Sequence, residues 1–300
     1  MTTMKERQRA AARARLEREM AARAEHAATR RKRRNTALAA AGAVVAVVAV
    51  VVILVNAVGG GGKGKTGARV VAQATNPPAQ CAWTTNPGLK GASGIKKNPD
   101  LKDTGLPPKT APRNGSRDMV MNTSQGTITI KLDVANAPCS AASMDFLANQ
   151  KYFDGTTCHR LTTEGLYILQ CGDPSGKGDG GPAYTYPHEN LPTDQQPNYP
   201  AGVVAMANPS DPDSNGSQFF IVYQDTPGQI DPSTGQFQSA LASNYSIIGT
   251  VSGGMDVVKK IADAGVAPDP KASPGTAPAT DGAPKLPVKV NTVTVGPIVN

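Results

Sequence analysis

The chain has 300 residues with 31 Gly, 25 Pro and a 4% aromatic share, so much of it is not packed core and one globular domain is expected rather than two. No aromatic precedes Trp83 and the other 12 fall between Phe146 and Tyr245, which puts that domain in the C-terminal two thirds. The formal charge of +8 arises wholly in residues 1–35, where 12 Lys/Arg face 4 Glu; the remainder is neutral, which excludes a phosphate-tracking nucleic-acid surface there.

Residues 36–58, TALAAAGAVVAVVAVVVILVNAV, carry no charge, and as a helix rising 1.5 Å per residue they span about 34 Å, enough to cross a bilayer. A signal peptide has a shorter apolar region and a shorter basic leader, so an uncleaved anchor is expected. The Lys/Arg excess ahead of it holds residues 1–35 in the cytoplasm and places everything after Gly59 outside. The expected location is therefore the cell membrane, single-pass, with a cytoplasmic N-terminus. For the basic leader itself, a helix on anionic lipid and a solvated tail both stay open.

Gly59 to Thr66, GGGGKGKT, matches a phosphate-loop pattern, but no capped amphipathic helix follows and the preceding Val run is too long for a strand. A flexible exit from the bilayer accounts for it better. Residues 59–117 read as a Gly/Pro-rich linker; from Asn76 on, only Cys81 and Trp83 are strong packing residues, and partial docking on the domain stays open. Cys81, Cys139, Cys158 and Cys171 fit two disulfides in an oxidising space, with three connectivities possible. No C-x-x-C pair is present, which disfavours a zinc ribbon or thioredoxin-type site.

Asp118 to Thr123 and Gly126 to Leu132 read as a hairpin with Ile128, Ile130 and Leu132 on one face. A helix follows Pro138, with Ser140 as cap, Ala142, Phe146 and Leu147 inward, and an end near Asn149. Short strands follow at Thr156 to Leu161, Leu166 to Gln170, Gly202 to Ala207, Ser217 to Val222 and Tyr245 to Val251. A second helix, Met255 to Asp263, buries Val257, Val258 and Ile261, and a last strand covers Val288 to Val295. Ala267 to Pro287 reads as a surface loop. Many strands with two helices and no β-α alternation predict a mainly β fold, an antiparallel sheet or barrel.

Three segments carry a resemblance: FDGTTCHRL (Phe153 to Leu161), YILQCGD (Tyr167 to Asp173) and VVAMANPSDPDSNGSQFFIV (Val203 to Val222). In this order and spacing they resemble the cyclophilin family of peptidyl-prolyl isomerases, and within it the membrane-anchored or secreted forms of actinobacteria. The resemblance covers residues 118–300 and says nothing of 1–117. It implies an eight-stranded antiparallel barrel capped by two helices, with the active groove on the outer surface.

By the same resemblance Arg160 is the catalytic arginine and Gln170 its supporting glutamine. Tyr167 and Ile168 match pocket positions, Ala207 and Asn208 the peptide-backbone contacts, and Gln218 and Phe220 the groove. Nine residues separate Arg160 from Gln170 where the common pattern has seven. Leu241 falls at the pocket leucine, Tyr245 where a histidine is usual, and Ala240 where many members have tryptophan. His159 and His188 lack metal-ligand spacing, and His159 is assigned to packing. Asp211 and Asp213 beside Asn215 read as a polar turn rather than a calcium loop.

The chemistry needs no nucleophile, metal or cofactor. Rotation about an X-Pro bond breaks amide resonance against about 18 to 20 kcal/mol. Shortening ~10 s to ~1 ms takes roughly 5.4 kcal/mol of preferential transition-state binding. A guanidinium donating to the prolyl nitrogen supplies this, because that lone pair is free only once the amide is twisted. The expected partners are proline-containing peptides and exported unfolded proteins, not nucleic acid, with weak cyclosporin binding because Ala240 lacks an indole. The alternative function is a tethered proline-peptide binding module or chaperone with little turnover.

Overall fold

The computed structural model describes residues 76–90, 96–192, 197–209, 212–226, 228–230, 237–238, 241–268 and 277–300. The leader, the apolar stretch at 36–58, the GGGGKGKT motif, Asp211 and Ala240 lie outside them; among the described residues no helix is long and apolar enough to cross a membrane.

Strands β1 (Ser116–Thr123) and β2 (Gly126–Asp133) form the expected hairpin across the Ser124-Gln125 turn. Met119, Met121, Ile128, Ile130 and Leu132 are buried while Asp118, Asn122, Thr127 and Lys131 are exposed, the period-two pattern of a sheet with one face on a core. The remaining main strands are β3 (Arg160–Thr162), β4 (Ile168–Cys171), β5 (Val203–Met206), β6 (Phe219–Val222), β7 (Ile247–Gly253), β8 (Asp281–Gly282) and β9 (Val290–Val295). They form one antiparallel sheet in the order β8-β3-β4-β6-β5-β7-β2-β1-β9.

Among the described residues this is a mainly β half-barrel with two helices, and its main sheet has nine strands where eight were expected. The extra strand is β8, drawn from the stretch read as a surface loop: Asp281 pairs with Thr162 and Gly282 with Leu161. A bridge between Thr157 and Lys289, with the Cys158 N–H on the Val288 carbonyl at 3.0 Å, links the chain before β3 to the chain before β9.

Helix α1 (Pro138–Asn149) starts as expected but Ser140 is not its cap; that residue lies inside the first turn, and the Glu189 carboxylate accepts the Cys139 and Ser140 N–H groups instead. Its inward stripe is Ala141, Met144, Leu147 and Ala148, with Ala142 and Phe146 at the margin. Helix α2 (Met255–Asp263) has the expected bounds and buries Val258, Ile261 and Ala262, with Val257 half-buried.

The sheet carries apolar side chains on both faces. One packs Leu169, Cys171, Phe219, Ile221, Val204 and Met206 into the main core under the helices. The other gathers Ile168, Phe220, Val222, Val203 and Ala205 into a second, smaller cluster. Strands buried on both faces lose the hydrophobic-polar alternation, which is why β5 and β6 read as unbroken apolar runs.

The described residues ahead of β1, 76–90 and 96–115, belong to the same compact unit as the sheet. Ala79–Gln80 pairs with Thr110–Ala111, Thr84–Thr85 with Tyr184–Thr185, and Leu101–Lys102 runs parallel to Gly181–Pro182. The disulfide Cys81–Cys139 fastens this segment to α1, and the Trp83 indole stands edge-on to Tyr184 and Tyr186 while donating to the Pro108 carbonyl at 2.9 Å. Of the three possible pairings the chain thus uses Cys81–Cys139 and Cys158–Cys171.

Candidate active site

Antiparallel pairing sets Arg160 on β3 directly opposite Gln170 on β4. The two residues beyond the usual spacing are absorbed by the β3–β4 connection, where Gly165 takes a positive φ of 70°. Arg160 Nη1 donates to Gln170 Oε1 at 3.4 Å, and Gln170 Nε2 donates to Gln218 Oε1 at 2.9 Å. Gln218 Nε2 in turn donates to the carbonyls of Gly178 and Gly180 at 3.0 and 2.9 Å. A line of side-chain amides therefore runs from the guanidinium across β4 to β6.

Two features hold the ends of this line. Gly172, just after β4, has φ +90° and lies so close to β6 that a Cβ there would sit 2.3 Å from the Ser217 carbonyl oxygen; only glycine allows that approach. The disulfide Cys158–Cys171 joins the chain just before Arg160 to the residue just after Gln170. Asp173 then organises the loop supplying the Gly178 and Gly180 carbonyls. Burial alone would raise its pKa, but N–H and O–H donors from Ser175 with the Gly178 and Gly180 N–H groups outweigh it and hold the carboxyl below its ordinary value.

Beside the amide line lies a cavity of about 770 Å³. Arg160, Gln170 and Gln218 are among its polar lining residues, and Ile168, Phe220, Leu241 and Tyr245 among its apolar ones; Ala207 and Asn208 line it too. The Ala207 N–H donates to the Gln218 carbonyl at 2.9 Å, and Asn208 Nδ2 lies 3.4 Å from the Asn244 carbonyl. The Tyr245 ring packs edge-on against Phe220, centroids 5.4 Å apart.

Nine of the ten sequence-derived site residues thus meet at one cavity. Tyr167 does not. Its ring packs 5.9 Å from Tyr223 on the main-core side, and Leu166 lines the cavity in its place. Strand alternation explains the correction: Leu166, Ile168 and Gln170 share one face, Tyr167 and Leu169 the other. That periodicity was present in the sequence.

Three further contributors carried no such signal. Tyr199, fully buried in an irregular Pro-flanked stretch, touches Phe220 and Tyr245, and its hydroxyl accepts the Tyr245 N–H at 2.9 Å. Asp281 forms a two-point ion pair with Arg160, Nε to Oδ1 and Nη2 to Oδ2, both at 2.7 Å. Each pKa moves as that pair requires: the hydrogen bond to Asp281 raises the guanidinium, and the bond from Arg160 lowers the carboxyl. Finally Asn86, Pro87, Lys96 and Asn98, all ahead of β1, line the far end of the cavity.

His159 keeps its expected packing position, where burial lowers its imidazole pKa and neither ring nitrogen has a hydrogen-bond partner among the described residues. Asn215 is fully buried and donates to the Pro187 carbonyl and Ser246 Oγ, a structural role. Among the described residues no three His, Cys, Asp or Glu side chains are grouped to hold a metal ion.

A guanidinium fixed beside the apolar wall of this cavity suits a ligand that pairs a small apolar ring with a polar atom beside it. A family model described as cyclophilin type peptidyl-prolyl cis-trans isomerase matches residues 118–295. The chain belongs to the cyclophilin family. A probable peptidyl-prolyl cis-trans isomerase B of Mycobacterium tuberculosis is 41% identical over 201 residues, covering 63% of this chain and 58% of that protein. A protein of the same name from Mycobacterium leprae is 42% identical over 159 residues, covering 49% of each. The chain therefore spans only about half the length of these cyclophilin relatives. A crystal structure of a Cryptosporidium parvum cyclophilin superposes with a TM-score of 0.45 at 20% identity, covering 61% of this chain and 99% of that one.

Proposed function

We propose that this cyclophilin is a peptidyl-prolyl cis-trans isomerase acting on X-Pro bonds of exported proteins, with Arg160 stabilising the twisted amide. The observation that carries the reading is one cavity in which the Arg160–Gln170–Gln218 line borders the apolar wall of Ile168, Phe220, Leu241 and Leu166. The wall holds the proline ring. Ala207 and Asn208 receive the peptide backbone, and the preceding carbonyl rotates while the ring stays seated. As the amide twists, the prolyl nitrogen regains its lone pair and becomes an acceptor for an Arg160 N–H. The ground-state amide offers no such acceptor, so the interaction favours the transition state selectively.

Two disulfides that use all four cysteines support an oxidising compartment. With the uncharged stretch at 36–58 and the basic leader, they support a single-pass protein of the cell membrane with the isomerase domain outside. Its partners on this reading are proline-containing peptides and unfolded exported chains, without nucleic acid or a cofactor, and cyclosporin binds it weakly.

The test is a protease-coupled proline-peptide assay on the full chain. Wild type should accelerate isomerisation and Arg160→Ala should lose most of the rate at an unchanged melting temperature. Peptide binding without acceleration in wild type points to the tethered binding module. For topology, a tag after Asn300 should be open to protease in spheroplasts and one before Met1 protected; the reverse pattern removes the extracytoplasmic assignment.

A further inference from the structure

Arg160 does not stand alone at the cavity border. Its guanidinium has five N–H bonds in a fixed plane. Two, on Nε and Nη2, are taken by the Asp281 carboxylate at 2.7 Å each, and one on Nη1 reaches Gln170 at 3.4 Å. Two N–H bonds remain, one on Nη1 and one on Nη2. The plane that presents them is fixed from two sides by groups on the neighbouring strands.

Asp281 itself does not line the cavity that Arg160, Gln170 and Gln218 line. The carboxylate lies on β8, which adds to the edge of the sheet against the very strand that carries Arg160, so a backbone ladder keeps the two side chains together across 121 residues of sequence. Two parallel charge-assisted hydrogen bonds fix both position and plane, which a single contact or a lysine would not do. Arg160 is about 40% exposed in its side chain, and without this pair it would sample several rotamers at the border of the cavity.

We infer that Asp281 is a positioning residue for isomerisation: it binds the back of the Arg160 guanidinium and so aims the two remaining N–H donors at the rotating amide. The inference rests on the reading of Arg160 given above and extends it to a segment that sequence patterning assigns to a loop. Since Asp281 is not among the residues that line the cavity, it acts through the Arg160 contact with the transition state and not on ground-state binding. Its loss therefore lowers kcat and leaves KM nearly unchanged.

The experiment measures kcat and KM for a proline peptide on full chains of wild type, Arg160→Ala, Asp281→Asn, Asp281→Glu and the double variant Arg160→Ala/Asp281→Asn, with melting temperatures as the fold control. Expected are a fall in kcat of about tenfold for Asp281→Asn with KM within twofold, partial recovery in Asp281→Glu, and a double variant no slower than Arg160→Ala alone. In nitrogen-15 spectra the Arg160 Nε–H signal should be sharp in wild type and lose its protection from exchange in Asp281→Asn.

An unchanged or raised kcat in Asp281→Asn, while Arg160→Ala is slow, overturns the positioning role and leaves the isomerase reading intact. A further loss in the double variant overturns it too, because Asp281 would then act by a route other than Arg160. Full activity in Arg160→Ala is a different result: it removes the reading of the arginine and the inference with it. Should Asp281→Asn fail to fold, Asp281→Glu carries the same comparison, its kcat falling between wild type and Arg160→Ala if the inference holds and equalling wild type or Arg160→Ala if it does not.

Discussion

The Glu189 carboxylate caps helix α1 by accepting the backbone N–H of Ser140, 49 residues earlier in the chain, together with that of Cys139. The first helical turn has orphan N–H donors, and Ala137 at the cap position offers no side-chain acceptor. Glu189→Ala should cost about 1 to 3 kcal/mol in urea unfolding, because buried donors lose their acceptor. Glu189→Gln, which keeps one acceptor oxygen, should cost less.

The same residue gives a pH signature. Burial raises the Glu189 carboxyl above its ordinary value, against the Ser140 and Cys139 donors and the charge of Arg113. A carboxyl with a raised native pKa binds its proton more tightly when folded, so its stabilisation is full below the unfolded pKa and is lost as pH rises through the native one. Asp173 and Asp281 are lowered and run oppositely, but they are common to wild type and variant. The unfolding free energy of wild type minus that of Glu189→Gln should therefore shrink from pH 4 to pH 7; a difference that grows contradicts the assignment.

The two disulfides should separate stability from activity. Closing 58 residues through Cys81–Cys139 restricts the unfolded chain by about 4 kcal/mol, and closing 13 through Cys158–Cys171 by about 3 kcal/mol. Only the second bridges the strands that oppose Arg160 to Gln170. Replacing both cysteines of the long loop by Ser should lower the melting temperature more, and replacing those of the short loop should lower kcat more. Equal kinetic losses in the two double variants would show that the β3–β4 pairing does not need its bridge.

How much of this was legible depends on the range over which each signal acts. The β1–β2 hairpin and α2 were readable because their apolar periodicity extends over seven or more residues, and seven of the nine cavity residues came with three ordered motifs, Leu241 and Tyr245 following by count from Ser246-Ile247-Ile248-Gly249. The ladders at Ala79–Gln80, Thr84–Thr85 and Asp281–Gly282 are two residues long, too short for any period to register. Asp281 and Glu189 act through partners 121 and about 49 residues away, and a polar pair leaves no trace in local composition. The strand at Asp281–Gly282, drawn from a stretch read as a surface loop, was missed for that reason. Tyr167 failed for a different one, since matching by count from Gln170 overrode the strand's own alternation.

Tyr199 supplies a prediction about the apolar wall. Its hydroxyl accepts the Tyr245 N–H at 2.9 Å and donates to the Tyr245 carbonyl at 3.0 Å, which clips the chain after Leu241 to the ring under Phe220. Tyr199→Phe keeps the ring contact and removes the clip. KM for a proline peptide should rise several-fold with kcat little changed, because Arg160 and Gln170 lie on other strands. A fall in kcat at constant KM would mean that the hydroxyl supports the rotating amide rather than the wall.

Cyclosporin, a macrocycle that family members with the pocket tryptophan hold tightly, should bind this protein at least tenfold more weakly. Ala240, outside the described residues, has neither the indole face nor its N–H. An acceptor buried without a donor costs about 1 to 3 kcal/mol, and a lost aromatic contact adds about 0.5 to 1.5 kcal/mol, against the 1.4 kcal/mol that makes tenfold. Trp83 and Tyr245, the aromatics that could substitute for the missing indole, are already committed. Trp83 is tied to the Pro108 carbonyl and wedged against Tyr184 and Tyr186, and Tyr245 stands edge-on to Phe220 and Tyr199. Calorimetric titration of wild type and Ala240→Trp decides it: the added tryptophan should recover the affinity, and tight binding by wild type, or no gain in the variant, would mean that position 240 does not face the macrocycle.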